Sequence, residues 1–234
     1  MTSPIITGLP KTLYLATTNA YKLAEMQAWA ETNQLPFIVQ ALPQLVDVEE
    51  TGTTFLANAQ LKAQGQVSAH PLPADAWVLA EDSGLSIPVL TGQYGLNPFP
   101  GVQSNRWLTP ERWQALCPDS PAPEKLTDTH HCEALLALIA KHPHLPRPLT
   151  AAYHAALVVV NTHGQEVFAT EQTLALTLRT TATGDGGFGY DPIIQITGHT
   201  APSVACMSPA EKNTISHRGK ALSTFAQFLR HSMS

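Results

Sequence analysis

Two extended runs, Ala151 to Asn161 and Glu166 to Leu178, flank the turn Thr162-His163-Gly164 and predict a long β-hairpin late in the chain. Upstream the pattern differs, because short apolar runs alternate with helical ones. Thr12 to Thr17 reads as a buried strand, and Thr18-Asn19 then offers cap chemistry to a helix with Leu23, Met26 and Ala30 on one face. Val46 to Thr54 is an acidic, turn-rich loop, followed by a helix from Phe55 to Ser68 with Phe55, Ala59 and Ala63 inward. Trp77 to Ala80 reads as a short strand that stops at Glu81-Asp82-Ser83-Gly84, where turn chemistry takes over. Thr91 to Pro123 is Pro- and Gly-rich loop with some short helix; Cys132 to His142 reads as helix, Ile193 to Ile196 as strand and Ile215 to His231 as the closing helix. Early alternation with late antiparallel strands predicts an α/β fold with a mixed β-sheet. We expect one domain over residues 1–234, built of two lobes with a ligand cleft between them.

Composition narrows the partners. At 234 residues the chain is long enough to bury a substantial core. A net charge of −5 argues against a nucleic-acid polymer, whereas a small anion needs only a few focused cations. No apolar run reaches the length of a membrane span, and Met1 to Gly8 lacks the basic start and apolar stretch of a secretory signal. Cys117, Cys132 and Cys206 are dispersed and odd in number, which fits a reducing, cytoplasmic setting.

Four segments hold the chemistry. Thr17 to Lys22 joins a strand to a helix N-terminus, where free amides and the helix dipole favour an anion or merely cap the helix. Glu49-Glu50 and Glu81-Asp82 supply hard oxygen donors of the kind Mg2+ takes beside phosphate, although Asp82 and Ser83 could equally bond their own turn. Gly184 to Pro192 offers bare backbone, two aromatic rings and a carboxylate. Its Gly-x-Gly-x-x-Gly spacing is no dinucleotide fingerprint, because Tyr190-Asp191-Pro192 follows instead of a helix. Its glycines either let backbone approach a ligand or make a tight loop. Met207 to Gly219 adds Lys212, His217 and Arg218, the last a fork of donors for carbonyl or phosphate. His130-His131-Cys132 has no completing ligands and reads as a solvated helix start.

Taken in order, Thr17 to Lys22, Glu50 to Phe55 with Asn58 to Ala63, Glu81 to Leu85, Pro100 to Arg106, Gly186 to Pro192 and Glu211 to Gly219 resemble the motifs of the inosine triphosphate pyrophosphatase family. The match spans nearly the whole chain. It implies an elongated two-lobed fold, a homodimer, and Mg2+-dependent hydrolysis of ITP, dITP and XTP to the monophosphate and pyrophosphate. Carried over position by position, Asp82 is the general base or the carboxylate that orients water, and Glu49, Asp82 and Glu81 hold the metal. The choice of Glu49 over Glu50 rests on aligned position alone. Thr17, Thr18, Asn19, Ala20, Tyr21 and Lys22, with Lys62 and Ser83, grip the phosphates. Phe188 stacks on the purine, with Gly189, Tyr190, Asp191, Lys212, His217 and Arg218 around the base.

The chain departs from the family pattern in several places. Thr18 stands for Gly, so the phosphate loop must accept a β-branched residue. Glu81 stands for Asp, Gln103 for an aromatic, Asn105 for Ala and Cys206 for Glu, and the stretch from Trp107 to Asp128 is longer than usual. Two other readings compete with the enzyme: a catalytically silent nucleotide sensor, and a pyrophosphatase for standard or pyrimidine triphosphates. Intact Glu49, Asp82 and Lys62 oppose the first, and the base-side residues oppose the second.

Overall fold

The computed structural model describes residues 8–232, so Met1 to Thr7 of the N-terminal stretch read above lie outside the described residues. Six strands form one sheet in the order β2-β1-β3-β4-β5-β6. They are β1 (Thr12–Leu15), β2 (Ile38–Ala41), β3 (Ala76–Ser86), β4 (Leu149–Asn161), β5 (Glu166–Leu178) and β6 (Ile194–Ile196). β1 runs parallel to β2 and β3, with Leu13 opposite Val39 and Trp77, while β5 and β6 are antiparallel. The sheet is therefore mixed, and helices α1 (Ala20–Thr32), α2 (Phe55–Ala69), α3 (Pro110–Leu116), α4 (Asp128–Ala140), α5 (Pro209–Ile215) and α6 (His217–Ser232) complete an α/β fold.

The chain divides into two compact units. The first comprises 1–83, 154–172 and 216–234; the second comprises 84–153 and 173–215. Each has its own core. In the first unit Leu13, Met26, Leu79, Val159 and Phe225 are buried together, and Phe225 stacks on Trp29 at 5.7 Å between ring centres. In the second, Leu85, Phe99, Trp107, Leu135, Leu176 and Ile193 form the apolar centre.

Local chemistry sets the helix starts. Asn19 Oδ1 accepts from the amides of Tyr21 and Lys22 at 2.9 and 3.3 Å, and Thr54 Oγ1 accepts from Ala57 at 3.1 Å. The hairpin forms as expected, with its turn closed by Asn161 N donating to Gln165 O at 3.0 Å.

Three expectations change. β3 does not stop at Ala80 but continues through Glu81, Asp82 and Ser83 to Ser86. Gly84 suggested a turn, yet Leu85 and Ile87 restore the buried apolar run, and β3 is paired on both edges. β2 escaped the pattern reading because it is a four-residue edge strand with only Val39 buried. The third concerns His131 and Cys132, which are buried in α4 rather than solvated.

Candidate active site

Adjacent residues of a strand face opposite ways, and this places Glu81 and Asp82 in different company. Both lie in the first unit. On one side Glu81 Oε2 accepts from Arg218 Nε at 2.9 Å and lies 3.5 Å from Lys22 Nζ. Ser83, two residues on and so on the same side, accepts from Lys22 Nζ at 3.3 Å. Burial alone would raise the Glu81 pKa; Arg218 and Lys22 together outweigh it and hold the carboxyl well below the usual carboxylate range. Arg218 is further committed to Glu25 of α1, whose Oε2 lies 2.5 Å from Nη1. Glu81 Oε1, also buried, has no hydrogen-bond partner.

On the other side Asp82 faces α2. Its Oδ1 accepts from Lys62 Nζ at 3.1 Å and its Oδ2 from Asn58 Nδ2 at 3.3 Å. Lys62 also pairs with Glu50 Oε1 at 3.0 Å, so its ammonium lies between two carboxylates. Burial raises the Asp82 pKa above the ordinary carboxylate value, with Lys62 pulling the other way. The result is a carboxylate held by two donors and made more basic by its surroundings. That is the condition a proton acceptor needs.

The acidic loop that bears Glu49 and Glu50 is fastened to α2 at both ends. Gly52 N donates to Asn58 Oδ1 at 2.8 Å. Eight positions along α2 from Asn58, the Gln66 amide both donates to Val46 O at 2.7 Å and accepts from Val46 N at 3.1 Å. Glu50 is thereby brought to Lys62 and Asp82, whereas the Glu49 side chain is exposed. Gln66 and Glu25 went unnoticed in the sequence, because a helical Gln or Glu in a polar run carries no local signal of a distant partner.

A groove of about 360 Å³ runs beside this cluster, walled in part by Thr17, Thr18, Lys22, Glu50, Lys62 and Glu81. Thr18 lies outside the left-handed region, where Gln34 and Tyr94 are the non-glycine residues found among those described. The strand-to-helix loop thus accepts its β-branched residue. Its amides are less available than the sequence suggests, since Asn19 caps Tyr21 and Lys22 and Thr17 Oγ1 accepts from Asn19 N at 3.1 Å. Ala20 opens α1 and Tyr21 is largely exposed.

Glu50, Glu81 and Asp82 are oxygen donors of the kind a hard divalent cation takes. No group of three or more His, Cys, Asp and Glu side chains stands ready for a metal among the described residues. Carboxylate oxygens nevertheless converge on the Lys62 ammonium, and Glu81 Oε1 is an unpartnered buried acceptor at the same groove. Mg2+ seldom uses an all-protein cage, and phosphate oxygens and water would complete its shell.

The second unit holds the other predicted group. Asp191 is 2% exposed and pairs with Lys212 at 2.6 Å, and its Oδ2 accepts from Phe188 N at 3.0 Å. A side chain at Gly187 would put its Cβ 2.1 Å from that same Oδ2. So this glycine serves tight loop closure over Asp191. Lys212 Nζ sits 4.3 Å above the Phe188 ring. Tyr190, expected around the base, is buried; its hydroxyl donates to Ser104 O at 2.6 Å and accepts from Trp107 Nε1 at 2.7 Å. His217 and Arg218 open α6 in the first unit, while Phe188, Gly189, Tyr190, Asp191 and Lys212 belong to the second.

Comparison with known proteins gives a consistent result. A dITP/XTP pyrophosphatase of Parasynechococcus marenigrum is 38% identical over 226 residues, covering 96% of this chain and 97% of that protein. A dITP/XTP pyrophosphatase of Streptomyces coelicolor is 38% identical, covering 93% and 96%. Among solved structures, a HAM1 protein from Coxiella burnetii superposes with a TM-score of 0.74 at 29% identity, covering 94% of this chain and 98% of that one. The Ham1 family model matches residues 13–228, which spans both units and every residue of the two clusters. This chain belongs to the Ham1 family.

Proposed function

We propose that this chain hydrolyses dITP, ITP and XTP to the corresponding monophosphate and pyrophosphate. The observation that carries the reading is the grouping of Lys22, Glu50, Lys62 and Glu81 along one groove, with Asp82 paired to Lys62. The relatives named dITP/XTP pyrophosphatase supply the substrate class. Water attacks the α-phosphorus, its proton passes to Asp82, and the bond to the bridging oxygen breaks so that pyrophosphate leaves. Lys22, Lys62 and the Thr17 to Lys22 loop bind phosphate oxygens, and a phosphate competes with Asn19 for the first amides of α1. Mg2+, held by Asp82 with Glu49 or Glu50 and Glu81, would offset charge on the departing pyrophosphate.

The resemblance gives base selection to Phe188, Asp191, Lys212, His217 and Arg218. Donors set against the C6 carbonyl of hypoxanthine or xanthine meet the C6 amine of adenine donor to donor. An unpaired buried donor costs about 1–3 kcal/mol, roughly 5- to 150-fold in discrimination. The assembly we infer from the resemblance is a homodimer, which light scattering tests directly.

The decisive experiment measures pyrophosphate release from dITP, XTP, ATP, GTP, dTTP and UTP, with and without Mg2+. We expect Mg2+-dependent release from dITP and XTP at least tenfold faster than from ATP. Equal rates on the pyrimidine nucleotides would favour a broader pyrophosphatase, and binding without release would favour a sensor.

A further inference from the structure

We propose that Asp128 is a positioning residue for base recognition, acting from the first turn of α4 on Gly189 and through it on the presentation of Phe188. This rests on the role given to Phe188 under the proposed function. Asp128 Oδ2 accepts from Gly189 N at 2.6 Å, a short charge-assisted bond. One helical turn on, Cys132 Sγ donates to Gly189 O at 3.4 Å. Residues four apart share a helix face, so a single face of α4 engages both backbone polar groups of one glycine. Between them His131 Nδ1 lies 3.3 Å from the Tyr190 hydroxyl, which anchors the next residue of the loop.

The space on the side-chain side of Gly189 is open. Gly189 has φ +63°, and a Cβ built there would meet nothing within 4 Å. Both of its backbone polar groups are held from α4. Phe188 is consequently bracketed, its own amide taken by Asp191 and the following amide by Asp128. The Cys132 partner is stable at neutral pH, because burial pushes the thiol up to about 12 and keeps its proton in place. Asp128 itself sits where the helix dipole favours an anion.

The test compares Asp128→Ala and Asp128→Asn with the wild-type chain on dITP. Asp128→Ala is expected to raise KM about tenfold with kcat within about twofold, one lost hydrogen bond's worth. Asp128→Asn keeps an acceptor oxygen and should bring KM back to within about threefold. An unchanged KM in Asp128→Ala, or equal losses in both variants, would overturn the proposal. Alkylation by iodoacetamide, located by mass spectrometry, reads the clamp without substrate. Cys132 should react at least tenfold faster in Asp128→Ala while Cys206 reacts as before; an unchanged Cys132 rate would also overturn it. Should Asp128→Ala fail to fold, Asp128→Ser takes its place with the same expected outcomes, since a short hydroxyl suits a helix start without reaching Gly189. If the wild-type chain leaves dITP intact, the proposed function fails, and the alkylation rate alone decides the clamp.

Discussion

Asp82 and Glu81 are neighbours in sequence with opposite proton affinities, and each supports a prediction. Asp82 is pushed toward protonation by burial, so the acid limb of kcat/KM should lie above the ordinary carboxylate value of 3.8. Activity requires the ionised form and falls as pH drops through that raised pKa. A pH profile of pyrophosphate release that stays flat below that value would remove Asp82 as the base. Asp82→Asn should lower kcat by roughly 10²–10⁴-fold, the range for a lost general base, while calorimetry shows dITP bound within about threefold of wild type. Glu81 has the reverse sense. Its depressed pKa contributes stability present above its ordinary value of 4.5 and lost as pH falls further, through the folded-state pKa. Glu81→Gln leaves Arg218 and Lys22 short of a buried partner and should cost about 3 kcal/mol near neutrality. In denaturant titrations the gap to wild type should hold from pH 7 to about pH 5 and close well below that.

At the scale of elements, α2 organises the chemistry, because Asn58, Lys62 and Gln66 fall at every fourth position and share a face. Gln66 is 3% exposed and fastens the acidic loop by two bonds. Gln66→Leu keeps the bulk and removes both. The Mg2+ concentration for half-maximal rate should rise roughly fivefold or more, at about 1 kcal/mol per bond, with faster hydrogen exchange over residues 45–50; an unaltered Mg2+ titration would refute this. α1, α2, α4, α6, the hairpin and the acidic loop were legible because periodicity, caps and turn residues are local signals. The course of β3 was not. Glu81-Asp82-Ser83-Gly84 reads as a turn until the sheet partners on both edges are known, since their hydrogen bonds and buried counter-charges override local preference. Likewise the sequence motifs brought together Asp82, Lys62 and Lys22. The commitments of Arg218 to Glu25 and of Asp128 to Gly189 join residues far apart in the chain and leave no trace in spacing.

Across the whole molecule, each unit is assembled from separated stretches: three for the first, two for the second. The core of the first needs Leu157 and Val159 from β4 and Ala221 and Phe225 from α6 as much as Leu13 and Leu79. Residues 1–83 expressed alone should therefore show no cooperative thermal transition, and a sharp melt by near-ultraviolet circular dichroism would contradict this. The same interdependence limits how the chain can vary in length. Because side chains alternate along β3, inserting one residue between Ala76 and Ala80 would hand the acid that Arg218 neutralises to Lys62 and Asn58, and turn the proton acceptor toward the arginine. Tolerated insertions or deletions ahead of this acidic pair should come in twos, a parity rule that length variants of β3 would expose directly.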